Sequence, residues 1–193
     1  MMASPKILVL AGSTRTGALS GKLAALAAKE LALADGEVTR ISLADYPLPI
    51  YNGDLEAEKG IPENAVKLAR LIAAQQGVFI ATPEYNNSIP PLLKNAIDWV
   101  SRNKGGKDGI PFRNKVYGIG STSDGMVGGA RALIDCRKVV QAGLGAILIP
   151  DKIEIGRAQD AFDEHGELIP EAVSKSLKAL CRHLVQLSRQ LAA

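Results

Sequence analysis

Val78-Phe79-Ile80-Ala81-Thr82-Pro83-Glu84-Tyr85-Asn86-Asn87-Ser88-Ile89-Pro90-Pro91-Leu92-Leu93-Lys94-Asn95-Ala96-Ile97-Asp98-Trp99 holds a strand, an open loop and a helix in succession. Val78 to Ala81 is wholly apolar, as expected of a strand buried on both faces. Leu92, Leu93, Ala96, Ile97 and Val100 then recur at helical spacing and give one apolar face. Between them, Pro83 lacks an N–H and holds the residue before it extended. Asn86 and Asn87 tolerate backbone angles closed to most side chains. Pro90-Pro91 suits the first turn of the helix. A core does not need this loop, so the stretch marks a site at a strand end, where an α/β sheet grips a flat ligand.

The same unit recurs on both sides. Lys6-Ile7-Leu8-Val9-Leu10-Ala11 reads as a buried strand, and residues 12–17 as a Gly/Ser/Thr loop. Leu19, Leu23, Leu26 and Ala27 mark a helix to about Ala34. A short second strand is expected over 37–41 and a proline-punctuated loop over 45–62. Ala65, Leu68, Ala69 and Ile72 mark the second helix, and 77–81 the third strand. Beyond the opening stretch come a Gly/Lys-rich loop over 103–114, a fourth strand over 115–120 and a polar turn over 121–129. A helix over about 130–142 and a fifth strand over 145–150 follow. Leu177, Leu180, Leu184, Leu187 and Leu191 form the stripe of a closing helix. With no repeat or linker, one domain over 1–193 is expected.

Five β/α alternations predict a parallel sheet with helices on both faces, a three-layer α/β/α sandwich. Right-handed crossovers leave few doubly wound orders, and the flavodoxin-like 2-1-3-4-5 is the natural one for five strands. Its switch point lies between strands one and three. Ligands are therefore expected beyond the ends of strands one, three and four, where the three most unusual loops lie.

Composition narrows the function. The 193 residues are 47% hydrophobic and 22% charged, a globular balance. A net charge of +3 without a basic run gives no nucleic-acid footprint. The apolar stretches are too short to span a membrane, and residues 1–6 lack a signal-peptide pattern, so a cytoplasmic protein is expected. Cys136 and Cys181 fall in helical patterns and read as buried or incidental thiols. His165 and His183 have no partners at metal spacing, and no Ser/His/Asp set has local support; neither a metal nor a catalytic side chain is assigned.

The first loop, Gly12-Ser13-Thr14-Arg15-Thr16-Gly17-Ala18-Leu19-Ser20, leads from a strand into a helix N-terminus. Unpaired N–H groups and the helix dipole favour an anion there. Ser13, Thr14, Thr16 and Ser20 add hydroxyls, and Arg15 a planar fork suited to phosphate. Helix capping alone would explain one or two hydroxyls but not Arg15 among four. The loop matches neither Gly-x-x-x-x-Gly-Lys-Ser/Thr nor Gly-x-Gly-x-x-Gly, so a single terminal phosphate is expected rather than a dinucleotide pyrophosphate. In the second loop Tyr85 can stack on a planar ring, and Glu84 is either an acceptor for a ligand N–H or solvated. Lys94 reads as a solvated helix residue, Asp98 and Trp99 as anchors of the helix or of an interface. The third loop, Ser121-Thr122-Ser123-Asp124-Gly125-Met126-Val127-Gly128-Gly129, offers hydroxyls and glycines for close approach to a ring. By itself it is an ordinary turn; beside the other two it is expected to touch ligand.

Gly12-Ser13-Thr14-Arg15, Thr82-Pro83-Glu84-Tyr85-Asn86, Leu93-Lys94-Asn95-Ala96-Ile97-Asp98-Trp99 and Gly128-Gly129-Ala130-Arg131 together resemble the NADPH-dependent FMN reductase family, in particular its bacterial quinone and chromate reductases. The resemblance covers about residues 6–150. It implies that Ser13, Arg15 and Ser20 bind the FMN phosphate with Thr16 and Leu19 beside them, that Pro83, Glu84, Tyr85 and Asn86 line the isoalloxazine, and that Ser121 and Ser123 finish the pocket. The family usually has Ser-x-Asn where this chain has Ala18-Leu19-Ser20, which implies weaker flavin binding or compensation by Thr16. A homodimer or homotetramer is also implied, with residues 45–62, 103–112 and those after Pro150 supplying interface or substrate contacts.

The implied activity is hydride transfer from NAD(P)H to N5 of FMN, then two-electron transfer to a quinone in a ping-pong cycle, with chromate, ferric chelates or azo dyes as artificial acceptors. The chemistry would lie on the cofactor, which accounts for the missing acid/base pair. Two rivals are a non-enzymatic flavodoxin-like electron carrier, disfavoured by the slightly basic charge, and an FMN reductase that releases reduced flavin.

Overall fold

The computed structural model describes residues 3–104 and 110–191. Strands β1 (Lys6–Ala11), β2 (Glu37–Ile41), β3 (Gly77–Pro83), β4 (Val116–Thr122) and β5 (Ile147–Ile155) form one parallel sheet in the order β2-β1-β3-β4-β5, the flavodoxin-like topology expected. The register runs from Ile7↔Gly77 to Ala11↔Ala81 between β1 and β3. Strand β3 runs two residues further, to Pro83, and Gly12 N bonds Ala81 O, so the loops after the two strands lie side by side.

Strand alternation splits the core in two. Ile7 and Val9 of β1 with Phe79 and Ala81 of β3 meet helices α1 (Leu19–Leu33) and α6 (Glu171–Leu191). Leu8, Leu10, Val78 and Ile80 point to the other face, against α3 (Glu63–Ala73), α4 (Pro91–Ser101) and α5 (Ala130–Arg137). Each buried aliphatic side chain contributes roughly 1.5–3 kcal/mol relative to exposure. The two faces together explain why the strands read as unbroken apolar runs.

Three expectations are corrected. Residues 45–62 are not all loop. A 3-10 turn, Leu43–Asp45, enters the segment, and α2 (Gly53–Lys59) lies within it. No residue of α2 is buried, so it carries no apolar stripe to be read. Asn52 caps it, accepting from Asp54 N at 2.8 Å, and Glu56 takes the Tyr51 hydroxyl at 2.9 Å and Arg102 Nε at 2.9 Å. The helix expected over 130–142 is α-helical only to Arg137 and continues as a π-helical turn, Lys138–Gly143. Finally, β5 runs past Pro150 to Ile155. As an edge strand it tolerates proline, and the register jumps from Tyr117↔Leu148 to Ile119↔Lys152 in a bulge around Pro150.

The segment before α2 is fixed onto α4. Asn95 Oδ1 accepts from Tyr51 N at 2.8 Å, and Pro49 O accepts from Asn95 Nδ2 at 2.9 Å and from Trp99 Nε1 at 2.8 Å. Trp99 is fully buried and anchors its helix as expected. Lys94 pairs with Asp98 one turn on, at 2.7 Å. Cys136 and Cys181 are free and buried; desolvation pushes both thiols up, Cys136 to about 12. His183 contacts Asp151 through Nδ1, which joins α6 to β5. Among the described residues no helix is long and apolar enough to cross a membrane. Of the expected contact loop over 103–112, residues 105–109 lie outside the described residues.

Candidate functional site

The ends of β1, β3 and β4 enclose a cleft of about 230 Å³. The first wall is the loop from β1 to α1. Gly12 N donates to Ala81 O at 2.8 Å. A Cβ on Gly12 would lie 3.1 Å from Pro83 Cδ and 3.2 Å from Pro90 Cγ, so glycine is what lets the first two loops touch. Ser13 Oγ accepts from Arg15 N at 3.3 Å and keeps its own proton to donate. Helix α1 then starts without a side-chain cap and without an acidic residue in its first turn, because Ala18 occupies the N-cap position. Its first N–H groups and its positive dipole end therefore face the cleft uncompensated. Arg15 lines the same wall, and the Ser20 hydroxyl, buried there, has no hydrogen-bond partner among the described residues.

The second wall is the loop from β3 to α4. Tyr85 N donates to Ser88 O and Ser88 N to Tyr85 O, both at 3.0 Å. Asn86 and Asn87 between them have φ of 48° and 64°, which makes a type I′ turn. The two asparagines thus serve the turn's left-handed backbone. Tyr85 stands at the cleft mouth, 48% exposed. Glu84 is committed elsewhere: its Oε2 accepts from Arg131 N and Ala132 N, each at 3.0 Å. It caps α5 from another loop, since Gly129 at that helix's N-cap has no side chain to do so. Ser88 Oγ donates to Asp135 Oδ2 at 2.7 Å, and Arg131 Nη1 to Asn87 Oδ1 at 3.3 Å. Hydrogen bonds from Lys138 first and Ser88 second hold the Asp135 carboxyl below its ordinary 3.8.

The third wall follows β4. Ser123 Oγ accepts from Gly125 N at 3.1 Å, and its backbone is pinned to the end of β5 by Ser123 N to Ile155 O and Ala158 N to Ser123 O, both at 3.1 Å. Gly128 has φ 64°, and a Cβ there would meet Gly156 N at 2.8 Å. That glycine serves packing against β5 rather than a ring. Thr122 lines the cleft with a buried hydroxyl that, like that of Ser20, has no partner among the described residues.

Of the residues that the family resemblance assigns to FMN, the fold brings Ser13, Arg15, Leu19, Ser20, Pro83, Glu84, Tyr85 and Ser123 to the cleft lining. Three do not line it. Thr16 is exposed just before left-handed Gly17. Asn86 is exposed in its turn, and Ser121 donates internally to Gly128 O at 2.8 Å. Ala18, Thr122 and Asp124 line the cleft in addition. An unpaired buried hydroxyl costs about 1–3 kcal/mol. One beside an uncapped helix start and a guanidinium, the other on the wall after β4, suit a ligand with a phosphate and a polar ring edge.

The sequence matches the NADPH-dependent FMN reductase family over residues 5–160. The chain belongs to that family. The match spans all five strands and all three walls of the cleft. Quinone reductase of Escherichia coli (strain K12) is 40% identical over 136 residues, covering 70% of this chain and 69% of that protein. An NAD(P)H-dependent FMN reductase of Pseudomonas aeruginosa is 34% identical over 180 residues, covering 91% of this chain and 92% of that one. The solved structure of FerB, a flavoenzyme NAD(P)H:(acceptor) oxidoreductase from Paracoccus denitrificans, is 27% identical and covers 96% of this chain and 98% of its own, with a TM-score of 0.75. As an FMN reductase family member the protein is an oxidoreductase, with FMN as cofactor and NAD(P)H as co-substrate. The cleft fits that cofactor: an anion site at α1 lies across from a tyrosine-flanked opening, with unpaired hydroxyls on two walls.

Proposed function

We propose that this chain is an NAD(P)H-dependent quinone reductase that keeps FMN bound throughout its cycle. The observation that carries this reading is the pair of buried, unpartnered hydroxyls of Ser20 and Thr122 on opposite walls of one cleft. The N–H groups opening α1, the Ser20 hydroxyl and Arg15 receive the phosphate. Pro83 and Tyr85 would lie along the ring, and Thr122 and Ser123 would meet its polar edge. Bound FMN supplies a centre that accepts a hydride and gives up two electrons. The residues of the chain bind, orient and shield it. Glu84 acts at one remove, by fixing the β3–α4 loop to α5. The exposed position of Tyr85 leaves one side of the cleft open, so nicotinamide and quinone occupy it in turn.

Chromate, ferric chelates and azo dyes fit the same open face as artificial acceptors. A homodimer or homotetramer belongs to the same reading. The reading takes residues 1–193 as one cytoplasmic domain, without nucleic acid or membrane insertion. The test is an anaerobic absorbance spectrum of the purified protein, recorded before and after NADPH and then a quinone. Co-purified flavin that bleaches with NADPH and returns with the quinone is expected. A flavin that bleaches only with a separate reductase would make the protein an electron carrier, and protein purified without flavin would favour a flavin-releasing enzyme. Intersecting double-reciprocal lines would overturn the ping-pong order.

A further inference from the structure

Behind the Ser13–Arg15 loop, on the β2 side, lies a second cleft of about 380 Å³. Its polar lining includes Thr14, Arg15, Arg40, Ser42 and Asp45. Arg40 is exposed near the C-terminal end of β2, in register with Val9. Strand ends of this polarity are where open α/β sheets bind ligands. Its guanidinium makes no hydrogen bond or ion pair within the described residues. Arg102 and Arg189, by contrast, are tied to Glu56 and Asp35. Ser42 Oγ accepts from Ala44 N at 3.2 Å, which leaves its proton to donate. The cleft therefore presents a free planar fork and hydroxyl donors, and also one carboxylate, Asp45.

A bare anion would gain nothing from Asp45. A phosphorylated ribose would use both signs: its phosphate takes the fork, and the neighbouring hydroxyl donates to the carboxylate. The place is also right for a dinucleotide. Strand β2 is two strands from β3, about 10 Å at the usual spacing between strands, and Arg15 lines both this cleft and the flavin cleft. A dinucleotide with its nicotinamide at the Tyr85 mouth can extend along the strand ends to β2.

We propose that this second cleft takes the 2′-phosphorylated ribose of NADPH, with Arg40 on the 2′-phosphate and Asp45 on the adjacent ribose hydroxyl. The proposal rests on the reading that nicotinamide cofactors reduce the flavin in the first cleft. It makes the protein prefer NADPH over NADH through one exposed side chain that does not line the flavin cleft.

The experiment compares the purified holoprotein with its Arg40→Ala and Arg40→Lys variants. Adenosine 2′,5′-bisphosphate, 5′-AMP and inorganic phosphate are titrated by calorimetry, and kcat/KM is measured for both nicotinamides. The native protein is expected to bind the bisphosphate about tenfold or more tightly than 5′-AMP, the scale of one charge-assisted contact. Arg40→Ala should erase that preference and lower kcat/KM for NADPH by a similar factor. It should leave NADH turnover, flavin content and melting temperature unchanged, and Arg40→Lys should recover part of the loss. An unaltered NADPH/NADH ratio in Arg40→Ala would overturn the proposal, as would inorganic phosphate competing as well as the bisphosphate. If neither nicotinamide bleaches the flavin, the reductase reading itself fails; bleaching by both with an unmoved ratio sinks only the Arg40 assignment.

Discussion

Replacing Ser20 by alanine should move two properties in opposite directions. The Ser20 hydroxyl is buried at the start of α1 and has no partner among the described residues. In flavin-free protein that unmet hydroxyl is a cost of order 1–3 kcal/mol. Its removal also leaves a better helix former at the same position. Flavin-free Ser20→Ala should therefore gain about 1 kcal/mol and melt about 2–4 °C higher, the shift expected for a chain of this size. If the hydroxyl donates to the FMN phosphate, the variant loses a hydrogen bond to a charged group. Such a bond contributes about 1.5–3 kcal/mol, so the FMN Kd should rise roughly ten- to a hundredfold. Scanning calorimetry of flavin-stripped protein reads the first effect, and quenching of flavin fluorescence during titration reads the second. A lower melting temperature with unchanged FMN affinity would refute the reasoning, because it would make the Ser20 hydroxyl a structural group. Thr122→Val, which swaps the other unpaired hydroxyl for a methyl group of similar volume, should repeat the pattern.

Gly12→Ala would place a methyl group 3.1–3.3 Å from Pro83, Pro90 and Leu93, costing about 1–3 kcal/mol by overpacking and weakening FMN binding by pushing two walls of the cleft apart; urea unfolding and flavin titration check both. Glu84→Ala should destabilise the fold by about 1–2 kcal/mol through the uncapped start of α5, seen in the urea midpoint, while Glu84→Gln, which keeps an acceptor oxygen, should lose less. The Asp135 carboxyl is held below 3.8 in the folded protein, first by Lys138 and then by Ser88. Its contribution is thus complete above that pH and fades as pH falls through the lowered folded value. Ser88→Ala and Asp135→Asn should accordingly flatten the acid limb of melting temperature against pH below about 4, measured by thermal melts between pH 2 and 6.

Where burial makes the pattern, the fold could be read from the residues. Ile7 to Leu10 and Val78 to Ala81 are apolar at every position because helices cover both faces of the sheet. The strand order then followed from handedness and strand number. What escaped is held by groups with no periodicity. Helix α2 is polar and is stabilised by the Asn52 cap and by Glu56 ion pairing with Arg102. The last part of β5 lies beyond a proline that only an edge strand admits. At the site, the sequence singled out Ser13, Arg15 and Pro83 to Tyr85, and the fold brings them to one cleft. The role of Glu84 was not, because its partners Arg131 and Ala132 lie far along the chain. One signal did exist: α5 begins after Gly128-Gly129 with no residue able to cap it, so an acceptor had to come from elsewhere. Thr122 was passed over in favour of Ser121 and Ser123, yet it is Thr122 whose hydroxyl stays unpaired.

The bulge around Pro150 has a consequence for how copies of this chain can meet. An edge strand ordinarily offers a ladder of free N–H and C=O groups to any extended chain, and that invitation is the common route to fibrous aggregation. Here the outer rim of the sheet is interrupted by a residue with no N–H, and the register breaks between Leu148 and Lys152. A strand added along that rim would lose a ladder bond at Pro150 and its even register at the bulge, which weakens this route to polymerisation.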